Sequence, residues 1–136
     1  MARAVQITGL KRHLARIDRI TRKAPADADK ALMAGGRRVA KTTRDSILAD
    51  SISGPGHIPS KPGEPPNADT HVLDRSIHTD RIAPYKVDMI EDAPYAVALE
   101  YGTLRMAARP HVRPAVQRER AALIAGIVAA VHKGVS

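Results

Sequence analysis

PYAVALEYGTLRMAARPHVRPAVQ, residues 94–117, holds a strand, a turn and a helix start within 24 positions. Val97, Leu99 and Tyr101 alternate with Ala98 and Glu100, a period of two that predicts a strand over 95–101. Gly102 stops it and permits positive φ at the strand exit. Pro114 suits the first position of a helix, where its missing N–H has no partner to lose. Beyond it Val116, Leu123, Ile127 and Val131 share one helical stripe, widened by Ile124 and Val128, while Arg118, Glu119 and Arg120 point away. A C-terminal helix is therefore expected over 110–133, ending near Lys133-Gly134.

Upstream, Asp92-Ala93-Pro94 makes a tight connection, so 85–91 is expected to pair with 95–101 as a hairpin. Tyr85, Val87 and Met89 alternate with Lys86, Asp88 and Ile90, the pattern of a half-buried strand. A further strand is expected over 72–79, giving a sheet within 71–103. Residues 50–70, DSISGPGHIPSKPGEPPNADT, hold five of the ten prolines and three of the nine glycines, with no hydrophobic period. Loops longer than about 12 to 15 residues without structure of their own are commonly functional or disordered. In an assembly such an arm reaches a neighbouring subunit, and Pro55, Pro59, Pro62 and Pro65 mark that candidate contact.

Residues 1–49 read as helical and basic. Leu10, Leu14, Ile17 and Ile20 lie on one helical face, with Lys11, Arg12, Arg16, Arg19 and Arg22 on the remainder. Ala24-Pro25 is expected to end this helix, because proline disfavours the α region in the residue before it. Ile7 closes a short preceding strand. From Ala26 a longer helix is expected to about Ala49, with Asp27 and Asp29 suited to its N-terminal dipole and Leu32, Val39, Thr43 and Ile47 on one side. Gly35-Gly36 in its middle costs about 1 kcal/mol per glycine relative to alanine, which points to another backbone approaching closely there.

These elements compose one α+β domain over 1–136: a long helix and a C-terminal helix packed on a small, mainly antiparallel sheet, with the Pro/Gly-rich loop projecting. A chain of 136 residues leaves little room for two cores. With no Phe, Trp or Cys and three tyrosines, the core must be aliphatic and thin, and disulfides and thiolate chemistry are excluded. No apolar run reaches the roughly 18 to 20 residues that span a bilayer, and MARAVQITGLKRH lacks the apolar region of a signal peptide. A cytoplasmic chain with no membrane partner is expected. The net charge of +8 lies entirely in residues 1–48, which hold twelve Lys or Arg against four acids.

The catalytic constellations are missing their parts. His13, His57, His71, His78, His111 and His132 form no close helical pair, and His71 and His78, seven apart, fall on opposite faces of a regular strand, so no metal site is expected. The serines lack a GxSxG context. Asp88, Glu91 and Asp92 cluster near a turn, where a divalent ion would be needed to cleave a phosphodiester. No acid in the chain is followed two residues later by lysine, so a solvated turn is the better reading. Neither Gly54-Pro55-Gly56 nor Gly35-Gly36 leads into GKS or GKT. Arg12, Arg16 and Arg19 on the first helix, with Arg37, Arg38, Lys41 and Arg44 on the second, suit phosphate or an acidic partner without reading sequence. Neither an enzyme nor a cofactor is expected.

Tyr95-Ala96, Glu100-Tyr101-Gly102-Thr103, Ala108-Arg109-Pro110 and Arg113-Pro114-Ala115 together resemble a tailed-phage morphogenesis family: the siphophage-type, gene-product-ten-like head–tail connector, neck and tail-completion proteins. Other parts occur in the family's order. Thr8-Gly9-Leu10 with its amphipathic helix is similar to the family's opening, 30–47 to its long helix, Pro62-Gly63-Glu64-Pro65-Pro66 to the loop before its first strand, and Asp69-Thr70, Leu73 and Ser76-Ile77 to its loop-to-strand motif. His71 stands where the family commonly has glycine, and His111 where a bulky apolar residue often follows Arg-Pro. These departures bear on a local turn and on one packing contact.

The resemblance implies a homo-oligomeric, hexameric ring at the junction of capsid and tail, assembled in the host cytoplasm and resident in the virion. Its partners would be the neighbouring connector, head-closure and tail proteins, with genomic DNA in its channel. A neck ring and a tail terminator both fit. Glu100, Arg109 and Arg113 are candidate contacts, in which a guanidinium pairs with Glu100 inside the subunit or with an acid on its neighbour. A non-sequence-specific DNA-binding module built on the basic helices is the alternative.

Overall fold

The computed structural model describes residues 8–136; the strand expected at Ile7 lies outside them. A continuous helical backbone occupies the first third. It comprises α1 (Leu10–Asp18), a π-helical turn (Arg19–Lys23) and α2 (Ala24–Leu48). A five-residue helix α3 (Val72–Ser76) leads into strand β1 (Ile77–Ala83), which pairs with β2 (Lys86–Glu91); a short α4 (Ala96–Tyr101) and a long α5 (Val112–Val135) complete the chain. The fold is α+β, with α2 and α5 as its long elements and a small antiparallel sheet.

Pro25 does not end the first helix. Its ring has no N–H and collides with the carbonyl four residues back in a regular helix, and the wider π turn immediately ahead of it opens that spacing. The helix thus passes through the proline. Asp29 consequently sits inside the helix rather than at its start. There it pairs with Arg81 at 2.8 Å and accepts the N–H of Tyr85 at 3.2 Å, tying the hairpin turn to α2.

α2 and α5 run antiparallel. A Cβ on Gly35 would meet the Leu123 side chain, and one on Gly134 would lie 2.5 Å from Ala24 Cα. At Gly134 it is the backbone of Ala24 that comes close, whereas Gly35 meets the Leu123 side chain and Gly36 the Thr79 and Val87 side chains of the hairpin. The packing at the Gly35-Gly36 pair is therefore close, but it is not with the backbone the sequence led us to expect. Glu119 adds a polar link, accepting from Thr42 Oγ1 at 2.9 Å and Arg38 Nε at 3.1 Å.

The sheet spans 77–91 rather than 71–103: the strand expected over 72–79 begins only at Ile77, after α3, and the one expected over 95–101 is the helix α4. Leu73 and Ile77, four apart, are both buried, which α3 achieves with one helical turn before β1 starts. In 95–101 the inward positions are Ala96, Leu99 and Glu100, a helical spacing, while Val97 and Tyr101 are exposed. Gly102 has the expected positive φ, at 77°, but caps a helix. The hairpin partners are consequently β1 and β2, with Asp80 directly opposite Asp88 and a bulge between Arg81 and Ala83. Pro114 is the third residue of α5, still within the first turn, where no intrahelical N–H bond is lost.

The core is aliphatic and thin: Ala40, Ile47, Leu73, Ile77, Ala93 and Ala96, with Ala68 from the long loop. That loop is not a projecting arm. Ala68 N–H donates to Ile47 O at 3.2 Å and to Ser51 Oγ at 2.9 Å, Gly63 N–H donates to Ala108 O at 2.9 Å, and Pro66 and Ala68 are buried. Backbone groups left near the body must find partners, and here they find them on their own subunit.

Candidate functional site

A buried carboxylate at the start of α5 organises the 94–117 segment. Glu100 is buried at the end of α4, facing the four N–H groups that a helix N-terminus leaves unpaired. Its Oε2 accepts from His111 N at 2.8 Å and Val112 N at 3.0 Å, and its Oε1 accepts from Arg113 N at 3.0 Å. Arg113 Nε donates to Oε1 at 3.1 Å, Nη2 donates to the Glu100 carbonyl at 3.1 Å, and the guanidinium lies 4.9 Å from the centre of the Tyr101 ring. Burial opposes the Glu100 charge, but these donors outweigh it and hold the carboxyl below its usual range. The Glu100–Arg113 pair lies within one subunit.

His111 is 1% exposed. Its Nε2 is 2.8 Å from Glu91 Oε1, while Nδ1 is 3.1 Å from Arg109 O and 3.2 Å from Glu100 Oε2. Burial disfavours the charged ring; acceptors at both nitrogens, Glu91 first, reverse this and raise its pKa. A buried histidine between two glutamates, which favour its charged form, thus occupies the position where the resemblance led us to expect a bulky apolar side chain. Strand alternation carried the signal for Glu91, since it shares the inner face with Met89, whereas Asp88 points outward. The three acids read from sequence as one cluster are therefore divided between two faces.

Arg109 does not pair with Glu100. Its N–H donates to Leu99 O at 2.6 Å and its Nε donates to Ser60 O at 3.2 Å, clamping the long loop to α4. Pro55, Pro62 and Pro59 are exposed and Pro65 is half-buried. Behind Pro59 lies a cavity of about 360 Å³, whose lining includes Ser60, His71, Asp74, Tyr95 and Arg109. Ser53 Oγ lies 3.1 Å from His71 Nε2, and His71 Nδ1 lies 3.3 Å from Asp74 Oδ2. This line has the connectivity of a nucleophile, base and acid. Yet the next N–H, Gly54, is bound to Asp69 Oδ1 at 3.1 Å. An acid thus occupies the donor that an oxyanion beside Ser53 would use. His71 itself takes the left-handed conformation, φ 61°, that a glycine would adopt freely. Among the described residues no group of three or more His, Cys, Asp or Glu could hold a metal ion.

The basic candidates separate into paired and unpaired groups. Arg38 pairs with Glu119 at 3.0 Å, Lys41 pairs with Asp45, and Arg44 Nη1 donates to Ile77 O at 2.9 Å. Arg12, Arg16, Arg19 and Arg37 are exposed, and among the described residues they form no ion pair.

Two aliphatic faces lie open beside these cations. No residue of α1 is buried, and Leu10, Leu14 and Ile17 are 57%, 56% and 55% exposed. In α5, residues 121–131 contain no polar side chain, though α2 covers only one side; Ile124, Val128, Val131 and Val135 remain exposed. A helix apolar all round is ordinarily buried all round. No described helix is long and apolar enough to cross a membrane. Comparison with known proteins finds no matching family model, no matching curated protein and no matching solved structure.

Proposed function

We propose that this chain is a structural subunit of a tailed-phage particle. Copies form a ring, hexameric by resemblance, at the head–tail junction, as a neck, tail-completion or tail-terminator protein that joins the capsid connector to the tail around the DNA channel. It assembles in the host cytoplasm and resides in the virion. Its action is assembly rather than turnover.

The observation that carries this reading is the aliphatic surface left open on α1 and α5. Large exposed apolar patches are uncommon on free monomers and mark association surfaces, and a thin-cored subunit gains stability when neighbours cover them. The 94–117 motif supports the family, and its charged residues have an internal use: Glu100, His111 and Arg113 set the angle at which α5 leaves α4. Sedimentation of the purified chain tests the reading, with a closed oligomer of six subunits expected. A monomer at every concentration would count against it.

A non-sequence-specific DNA-binding module is the second reading, favoured by the unpaired Arg12, Arg16 and Arg19. It predicts duplex binding that weakens steeply with salt, because each neutralised phosphate releases counterions. Absent or salt-insensitive binding removes it.

A further inference from the structure

The aliphatic stripe of α1 has no cover among the described residues of its own subunit. Gly134, near the end of α5, lies beside Ala24, and α5 also packs against the π turn, so it is α1 itself, Leu10–Asp18, that runs on past α5 for about 13 Å at 1.5 Å per residue. The hairpin packs on the other part of the long helix, between Asp29, which holds Tyr85 N–H, and Arg44, which holds Ile77 O. Unbroken helical backbone through the π turn leads α1 away from that region. Among the described residues of the subunit, none covers Leu10, Leu14 and Ile17.

Charge selects between the surfaces available on another copy. α1 carries Lys11, Arg12 and Arg16, with Arg19 following in the π turn and Asp18 paired to Arg22 at 2.8 Å. The open face of α5, Ile124, Val128, Val131 and Val135, has Arg120 at its edge and no acid within it, so it offers a basic helix no partner charge. The outer face of the hairpin has the opposite sign. Asp80 stands directly across from Asp88, a like-charge cross-strand pair that destabilises an isolated sheet. His78 lies 3.6 Å from Asp80 and 3.7 Å from Asp92, and Lys86 is the remaining cation of that face. Ile82, exposed in the bulge, and Ile90 supply apolar surface beside the acids.

We propose that α1 of one copy lies across the outer face of the β1–β2 hairpin of the next copy. Leu14 and Ile17 cover Ile82 and Ile90, while Lys11 and Arg16, bordering the stripe on either side, meet Asp88 and Asp80. This rests on the reading of the chain as a self-assembling subunit, and it names the contact. The lengths agree: the stripe from Leu10 to Ile20 spans about 15 Å, and seven-residue β1 about 20 Å or more. The contact is head-to-tail, each copy giving a helix and receiving one, which is the geometry that closes into rings.

The absence of cysteine allows a direct test. The full chain carrying Leu14→Cys and Ile82→Cys is oxidised mildly and run under denaturing conditions, alongside its solution mass and a control chain with Leu14→Cys and Val128→Cys. The expected result is a ladder of linked copies for the first pair alone. An assembled protein that links only in the control pair, or in neither, overturns the contact and leaves the ring reading standing; a monomer with no linked species overturns both. Independently, Asp80→Lys with Asp88→Lys, and Lys11→Glu with Arg16→Glu, should each abolish assembly. Mixing these two variants should restore mixed oligomers, and failure of that restoration contradicts the charge pairing.

Discussion

Arg113 and Glu100 are joined twice: Arg113 Nε donates to the Glu100 carboxylate and Nη2 donates to the Glu100 main-chain carbonyl, both at 3.1 Å. The two residues contribute unequally. Glu100 is buried and also holds three N–H groups and faces His111, whereas the Arg113 side chain is about half exposed. Removing the glutamate strands the N–H groups of His111, Val112 and Arg113, at about 1 to 3 kcal/mol for a buried donor left unsatisfied; removing an exposed partner costs about 1 kcal/mol or less. Urea unfolding should show Glu100→Ala far less stable than Arg113→Ala. Equal losses would contradict this assignment.

The same cluster sets a pH dependence on its basic side. His111 holds its proton more tightly folded than unfolded, its pKa being raised above the ordinary 6.5. Its contribution is complete below about pH 6.5 and is lost as pH rises through the folded value. Glu100, lowered from 4.5, behaves oppositely: its contribution is present above that value and lost as pH falls through the folded one. The stability advantage of the natural chain over His111→Gln should therefore shrink as pH rises from about 6.5 through the folded value. An advantage that grows over that interval would show the ring to be neutral when folded.

The helix pair makes a prediction about two glycines. A Cβ on Gly134 meets the backbone of Ala24, while one on Gly126 meets nothing within 4 Å. Gly134→Ala should destabilise by about 1 to 3 kcal/mol through overpacking. Gly126→Ala should stabilise by up to about 1 kcal/mol through helix propensity. Thermal unfolding of the two variants reads both signs, and a stabilised Gly134→Ala chain would mean that α5 does not approach Ala24.

Arg109 should control the order of the long loop. Arg109→Ala removes the donor to Ser60 O, so amide exchange at Gly63, whose N–H is bound to Ala108 O, should quicken at least severalfold. Unchanged protection there would mean that the loop holds itself down without the arginine.

How much was legible in sequence depended on the length of the pattern. The long helix and α5 repeat their apolar spacing over many turns, and β2 alternates over its six residues, so each was readable from Leu32, Val39 and Ile47, from Val116 to Val131, and from Val87 and Met89. Six residues at 96–101 cannot separate a period of two from a turn and a half of helix, and Ala96 with Glu100 decided it only once burial was known. Pro25 misled because the compensating π turn has no sequence mark. The Glu100–Arg113 pair was among the partners foreseen. Arg109 was not placed, because its acceptor, Ser60 O, lies 49 residues away on a loop with no pattern to position it.

Imaging of the assembled particle by electron microscopy tests the central claim most directly. The account predicts this chain as a closed ring at the joint between capsid connector and tail, with DNA passing through it. Its absence from the particle, or its presence only at another position, would contradict that claim.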